Sequence, residues 1–475
     1  MNHFLVTTAC SNVVFGDLSS ISRNLPGMGR KYSKSRVLYD LRLWVSHGYV
    51  GGQDTYKVFA LTIEASLPVD IIPHPVPSDV PFQGSPFYRP YCAVRCGRIP
   101  AAPTLAFNAR MNARASDANI ADADRARAQA MINASFSKRA GSSSFSIASA
   151  VMAYTAQVGV GSPATQYTLL IDTGSSNTWV GANTPYTRTN TSVDTGGSVS
   201  VSYGPGSFSG EEYLDTVTLG SDLVITGQSI GVAKNAQGFN GVDGILGVGP
   251  TDLTQGTVSN VGLVPTVTDN LYSKGAIGTE ALGVYFAPGG SAGELTFGGS
   301  DSSKTTSSVN YVPLTTTSPS SEYWGIDQSI AYGSSTILSA TAGIVDTGTT
   351  LILIATDAFD KYQSATGATL DSNTGLLMIT SDQYANLQTL NFNIGGTSYG
   401  LTPNGQIWPR SLNTDIGGSS DNIYLVVNDI GSTLAMVSTS STVTHSCLQR
   451  FYSVFDATNR QVGFATTSST SAVSN

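Results

Sequence analysis

From about residue 151 onward, short apolar runs alternate with clusters of Gly, Ser, Thr, Asn and Asp. QVGVGSPATQYTLLID, EEYLDTVTLGSDLVITG and NIYLVVNDIG each read as strands closed by tight turns. Many short strands at this spacing predict a mostly β body. Two stretches read instead as short helices, TVTDNLYSKG at residues 266–275 and ATDAFDKYQSATG at residues 355–367. Ahead of the body, residues 105–139 place apolar and basic residues at helical spacing, which predicts a basic helix. It ends in Lys138-Arg139, a dibasic pair of the kind that secretory processing proteases cut. Residues 1–102 show no sustained period, and Pro clusters such as PHPVPSDVP predict loop or disorder.

The body repeats itself. LLIDTGSSNTWVGA and TAGIVDTGTTLILI each run an apolar strand into a carboxylate, Asp172 and Asp346. Burying a carboxylate is costly unless it is paired or hydrogen-bonded, so two such places point to two halves of one site. A chain of 475 residues exceeds one small core and predicts two lobes. The expected organisation is an irregular leader at residues 1–102 and a basic helical pro-segment at 103–140. A first lobe with Asp172 follows at 141–320, and a second lobe with Asp346 at 321–475.

Charge sharpens this division. Of the 24 Lys and Arg, 8 lie after residue 150, against 23 of the 32 Asp and Glu. The body is acidic and the leader basic. An acidic body argues against nucleic acid as a partner, because phosphate binding needs a basic surface. It suits a protein that stays soluble as its carboxylates protonate. Of the four cysteines only Cys447 lies in the body, so no disulfide closes there. Cys92 and Cys96 lack the further ligands of a zinc site, and no metal or other cofactor is expected. No apolar run reaches membrane-spanning length. Residues 4–16, FLVTTACSNVVFG, resemble the apolar part of a signal peptide but lack a basic start. Asn133 and Asn190 begin Asn-x-Ser triplets that a secreted chain could glycosylate.

Each residue of the repeat has a chemical use. Asp supplies a carboxyl, and the following Gly174 or Gly348 brings a backbone N–H up to it. Thr173 and Thr347 can turn inward and hydrogen-bond across to the other lobe. Ser175 and Thr349 can donate to the outer carboxylate oxygens. Two carboxyls this close share one proton, so one serves as general base and the other as general acid. A water between them would attack a peptide carbonyl with no metal and no covalent intermediate. Rival chemistries lack parts. Only His445 of the four histidines lies in the body, which leaves neither a Ser-His-Asp triad nor a histidine metal site.

The motifs IDTGSSNTWV, VSYGPGSFSG, DGILGVGP, AGIVDTGTT and FYSVFDATNRQVGFA carry a resemblance. From about residue 144 to 468 the chain is similar to the pepsin-like aspartic proteases, most of all the fungal polyporopepsin type. The resemblance implies a bilobal pepsin-like double β-barrel with the cleft between related lobes, and Asp172 and Asp346 as the catalytic dyad. It implies that Tyr203 is the flap tyrosine, with Gly204 at the hairpin tip and Trp179 able to steady the Tyr hydroxyl, although both aromatics would also serve as core. It further implies protein or peptide substrates, secretion, synthesis as a zymogen and a monomer.

Two places depart from the family pattern. Pro205 stands at the flap tip, where it removes a backbone donor. Residues 432–450, STLAMVSTSSTVTHSCLQR, replace the apolar-Gly strand expected behind the second dyad loop. A β-strand could still form through LAMV, though the segment lacks the residues expected to pack it against Val345 and Leu351. Beside the acid endopeptidase stand two other readings: a peptide-binding protein of the same fold, and an inactive product of a disrupted second lobe. Both dyad triplets are complete, which favours the enzyme. A basic pro-segment before an acidic cleft predicts a block held by carboxylates at neutral pH and weakened by acid.

Overall fold

Alternation of side chains builds the strand that carries the first carboxylate. Along Thr165–Asp172, Tyr167, Leu169 and Ile171 point fully inward, while Gln166 and Thr168 face outward or lie half-buried. The computed structural model describes residues 11–14, 39–50, 53–65, 102–111, 119–137, 152–204, 206–286, 293–432 and 441–473. Residues 1–96 form one unit and residues 97–475 another.

In the first unit, Ser11–Val14, Tyr39–Val50 and Gln53–Ala65 make an antiparallel three-stranded sheet. This differs from the loop expected of the leader. Val50 pairs with Gln53 across a two-residue Gly-Gly connection in the sequence, a spacing suited to a hairpin. Cys10, Cys92 and Cys96 lie outside the described residues.

The second unit is mostly β, with one large mixed sheet of 13 strands and a seven-stranded sheet in the second lobe. The two dyad strands are built alike. Thr165–Asp172 pairs in parallel with Gly244–Gly247, placing Gly247 opposite Asp172, and Trp179–Val180 runs antiparallel to the same backing strand. Ser335–Asp346 pairs in parallel with Ser441–Thr444, placing Thr444 opposite Asp346, and Ile352–Ile354 runs antiparallel to it. The Ser/Thr-rich segment therefore does supply a backing strand, and it does so through STVT. LAMV lies outside the described residues. The β-branched Thr442, Val443 and Thr444 suit a short strand although the segment lacks the apolar-Gly pattern.

The expected pro-segment helix begins later than its composition suggested. Thr104–Met111 is a strand, inserted between Gly293–Phe297 and Met152–Val160 of the large sheet. Its buried Leu105 and Phe107 alternate with exposed Thr104 and Ala106, a period of two. Phe107 packs edge-on to Tyr154 and Phe286 with centroids 5.1 and 5.2 Å away. The helix itself, α1, spans Ile120–Ser137. Asn119 caps it, its side chain accepting from the Asp122 N–H at 2.8 Å. The two short body helices lie where the pattern put them, at Val267–Ser273 and Thr356–Thr366. The C-terminal hairpin Phe451–Asp456 and Gln461–Thr466 joins the large sheet and not the seven-stranded one. No helix among the described residues is long and apolar enough to cross a membrane.

Candidate active site

The two Asp-Thr-Gly loops meet. Thr173 N donates to Thr347 Oγ1 at 3.0 Å, and Thr347 N donates to Thr173 Oγ1 at 3.0 Å. Each hydroxyl donates onward across the lobe boundary, Thr173 Oγ1 to Val345 O and Thr347 Oγ1 to Ile171 O, both at 3.1 Å. These four buried bonds lock the loops to one another, each worth about 0.5–1.5 kcal/mol net.

The lock fixes the carboxyls. Gly174 N reaches Asp172 Oδ1 at 2.9 Å, and Ser175 Oγ reaches Asp172 Oδ2 at 2.6 Å. On the other side Gly348 N reaches Asp346 Oδ1 at 2.9 Å, and Thr349 Oγ1 reaches Asp346 Oδ2 at 2.5 Å. Every donor expected from the sequence falls on its carboxylate. Gly174 is required by space: a Cβ there would lie 2.5 Å from Asp346 Oδ1. A Cβ at Gly348 would lie 2.5 Å from Asp172 Oδ1.

Sequence reasoning missed the residue that sits between the carboxyls. Arg127 of α1 donates Nη2 to Asp172 Oδ1 at 2.7 Å and to Asp346 Oδ1 at 3.2 Å, and Nε to Asp346 Oδ2 at 2.9 Å. Both carboxylates are fully buried and Arg127 nearly so. Burial pushes Asp172 upward and outweighs the opposing pull of Arg127; the Asp346 charge adds to the rise. Burial also pushes on Asp346, but the Arg127 charge and hydrogen bonds, with those of Thr349 and Gly348, hold it below the ordinary carboxylate value. The guanidinium itself is held charged by the two carboxylates against its own burial.

The signal that could have found Arg127 lies in the helix period. Ile120, Ala123, Asp124, Arg127, Ala128 and Met131 share one buried face. Two charges on a small apolar stripe mark a face made for a charged partner. Asp124 accepts from Thr350 N at 3.0 Å and Leu351 N at 2.7 Å, just beyond the second dyad loop. Arg125 Nε donates to Asp429 O and Gln129 Nε2 to Ile430 O. Met131 enters a buried cluster with Tyr323 and Ile344, and its carbonyl accepts from Tyr323 Oη at 3.2 Å.

The flap hairpin, Val193–Ser202 and Ser207–Gly220, closes over this helix. Tyr203 N donates to Gly206 O at 2.7 Å, and Gly204 takes a positive φ of 84° at the tip. A Cβ at Gly204 would lie 2.8 Å from Ala126 O and from Arg127 Cα, so the tip rests on the helix backbone. Pro205 lies outside the described residues. Trp179 stacks on Phe208 at 4.1 Å, and Phe239 meets both Trp179 and Tyr203 edge-on. Burial pushes the Tyr203 hydroxyl well above its ordinary value, and the neighbouring Trp179 indole opposes that rise, as expected of the pair. The two buried atoms, Trp179 Nε1 and Tyr203 Oη, fall short of full hydrogen-bond geometry. Here the two aromatics act as packing while the flap tip is seated on α1.

No group of three or more His, Cys, Asp or Glu suited to a metal occurs among the described residues. The side chains of all four histidines lie outside the described residues.

Known proteins match this chain closely. The family model for eukaryotic aspartyl proteases matches residues 153–467. Polyporopepsin of Irpex lacteus is 59% identical over 330 residues, covering 68% of this chain and 96% of that protein. Cathepsin E of Rattus norvegicus is 32% identical over 337 residues, covering 66% of this chain and 80% of its own. The crystal structure of the aspartic proteinase from Irpex lacteus superposes with a TM-score of 0.66 at 61% identity, over 68% of this chain and 96% of that one.

Proposed function

The chain belongs to the eukaryotic aspartyl proteases and is a pepsin-like aspartic endopeptidase, and from that premise we propose that it is made as a zymogen whose dyad, Asp172 and Asp346, is blocked by Arg127. The single observation that carries this reading is the guanidinium bonded to both buried carboxylates.

The chemistry follows from removing it. Without a cation, two carboxylates at this separation cannot both ionise cheaply, and one proton is shared between them. A peptide in the vacated cleft lies under the flap, with a water between the carboxyls. The ionised carboxyl takes a proton from the water as its oxygen attacks the scissile carbonyl. The protonated carboxyl donates to the carbonyl oxygen. The resulting tetrahedral intermediate collapses with proton transfer to the leaving nitrogen, and the C–N bond breaks. The N–H and O–H donors around each carboxyl hold its orientation through both steps.

Acid is the natural trigger. The clamp needs ionised carboxylates, and Asp346 is the one held low by Arg127. Its contribution is present above the ordinary carboxylate pKa of about 4 and is lost as pH falls through its lowered value. Secretion accords with the acidic body, the dibasic Lys138-Arg139 and the exposed Asn190 of its Asn-x-Ser triplet. Lys138-Arg139 and the side chain of Asn133 lie outside the described residues.

Hydrolysis of an unfolded protein by the acid-treated full chain, from about pH 2.5 to about pH 7, tests the reading beside Asp172→Asn and Asp346→Asn. Acid activity lost in both variants is the expected result. Activity that survives either substitution would overturn the dyad, and an inactive wild type with an intact fold would favour a peptide-binding role.

A further inference from the structure

The cleft holds a second charged group whose role the dyad does not explain. Asp124 is nearly as deeply buried as the carboxylates it neighbours, with 3% of its surface exposed. It lies one helical turn before Arg127, on the same face of α1. A single oxygen, Oδ2, receives both the Thr350 and the Leu351 N–H, leaving Oδ1 able to carry a proton. These two N–H groups belong to the cleft wall immediately after the Asp346–Thr349 loop. The charged groups facing Asp124 are Arg127 from its own helix and Asp346 from the dyad loop. Arg125 is turned away, toward Asp122, Asn428 and the Asp429 carbonyl.

We propose that the Thr350 and Leu351 N–H groups form a carboxyl-binding position in the cleft, and that the cleft recognises a helical segment carrying an acid at one position and an arginine three residues later. This rests on the zymogen reading above and adds its second attachment point. A lone arginine could swing on its long side chain. A short acidic side chain fixed to two rigid backbone donors sets the helix register, and the register delivers Arg127 to both carboxyls at once. The acceptor oxygen matters more than the charge. Burial raises Asp124 to about 7 against the pull of the two N–H bonds and Arg127, so a neutral carboxyl is tolerated there. An extended peptide would present no such acid–base pair at one-turn spacing.

Backbone amide exchange of the full chain near pH 6, with hydrolysis of a short peptide measured alongside, tests this on Asp124→Ala, Asp124→Asn and Arg127→Gln. Asp124→Ala leaves two buried donors without an acceptor. Exchange at Thr350, Leu351 and along α1 should speed on the order of tenfold to a hundredfold, and peptide hydrolysis should rise. Asp124→Asn keeps a carbonyl oxygen at the same place and should stay close to wild type in both. An Asp124→Ala chain that folds and exchanges like wild type would overturn the proposal. So would an Asp124→Asn chain as open as Asp124→Ala. Arg127→Gln separates the two ideas. If it fails to raise hydrolysis, the zymogen reading fails. If it succeeds while Asp124→Ala changes nothing, only the carboxyl position fails.

Discussion

Replacing Arg127 by Gln perturbs the block at its centre. Gln is shorter, uncharged and cannot bridge both carboxyls. Three charge-assisted bonds disappear, at 2.7, 2.9 and 3.2 Å, from a site where both acceptors are fully buried. Removing one partner of a buried ion pair costs roughly 3–5 kcal/mol. At 1.4 kcal/mol per factor of ten, the docked helix loses roughly a hundredfold to several thousandfold in its equilibrium with the open form. The remaining contacts through Asp124, Arg125, Gln129 and Met131 oppose release, so the lower end is expected. The assay is hydrolysis of a quenched peptide by freshly purified full chain, followed at its first moments, before any processing, from about pH 3 to about pH 7. Wild type should stay silent until the pH falls below the ordinary carboxylate value of about 4, because burial is outweighed by Arg127 and Asp346 is held lower than that. Arg127→Gln should already cleave at pH 5 to 6. Arg127→Lys should fall between, because an ammonium is a point charge that cannot reproduce the guanidinium fork. An Arg127→Gln chain with the wild-type pH threshold would refute the reasoning, since the clamp would then not set it.

Thr173→Val removes the hydroxyl that accepts from Thr347 N and donates to Val345 O. A buried N–H left unpaired costs about 1–3 kcal/mol, so thermal unfolding should shift down by several degrees while Thr173→Ser stays near wild type. Glu212 is buried on the flap-bearing strand, hydrogen-bonded by Ser229, and its Oε2 has no partner. Burial raises it to about 7, so its stabilising contribution is full below the ordinary Glu value of about 4.3 and is lost as pH rises through 7. Glu212→Gln should therefore unfold at a higher temperature than wild type at pH 8 and at a similar one at pH 4, as read by calorimetry.

Much of the site was legible because backbone and side-chain demands coincide in it. An apolar strand ending in Asp-Thr-Gly admits few uses, and each of Thr173, Gly174, Ser175, Thr347, Gly348 and Thr349 makes the bond its chemistry suggested. The β body and its two short helices were legible from period alone. Thr104–Met111 was not, because its alanines and arginine mimic helix composition while only Leu105 and Phe107 reveal a period of two. The strand at Ser441–Thr444 was hidden for another reason. Its place is set by pairing with Ser335–Asp346 and Ile352–Ile354 and not by any apolar run of its own. Trp179 and Tyr203 do share one buried cluster, but a motif describes residues and not the state of the flap, and full hydrogen-bond geometry between them is not reached. Arg127 was hidden beside Arg125, the other arginine of the same helix, and only the buried face singles it out.

The same residue accounts for an asymmetry that the duplicated loops do not contain. Asp172 and Asp346 receive matching donors, a glycine N–H and a hydroxyl each, and both are fully buried. Two equal environments would leave the shared proton without a preferred owner. Arg127 breaks the tie by giving Asp346 two contacts, through Nε and Nη2, and Asp172 one. Asp346 is thereby held below its ordinary value while burial keeps Asp172 above. The first proton to reach the dyad on acidification therefore goes to Asp172. That neutralises the carboxyl with the single contact, and the guanidinium keeps its two-point hold on Asp346. The block then survives the first proton and releases with the second, so the pH of opening follows Asp346 and not Asp172. The duplicated loops supply two matched carboxyls, and the off-centre arginine supplies the order in which they are protonated.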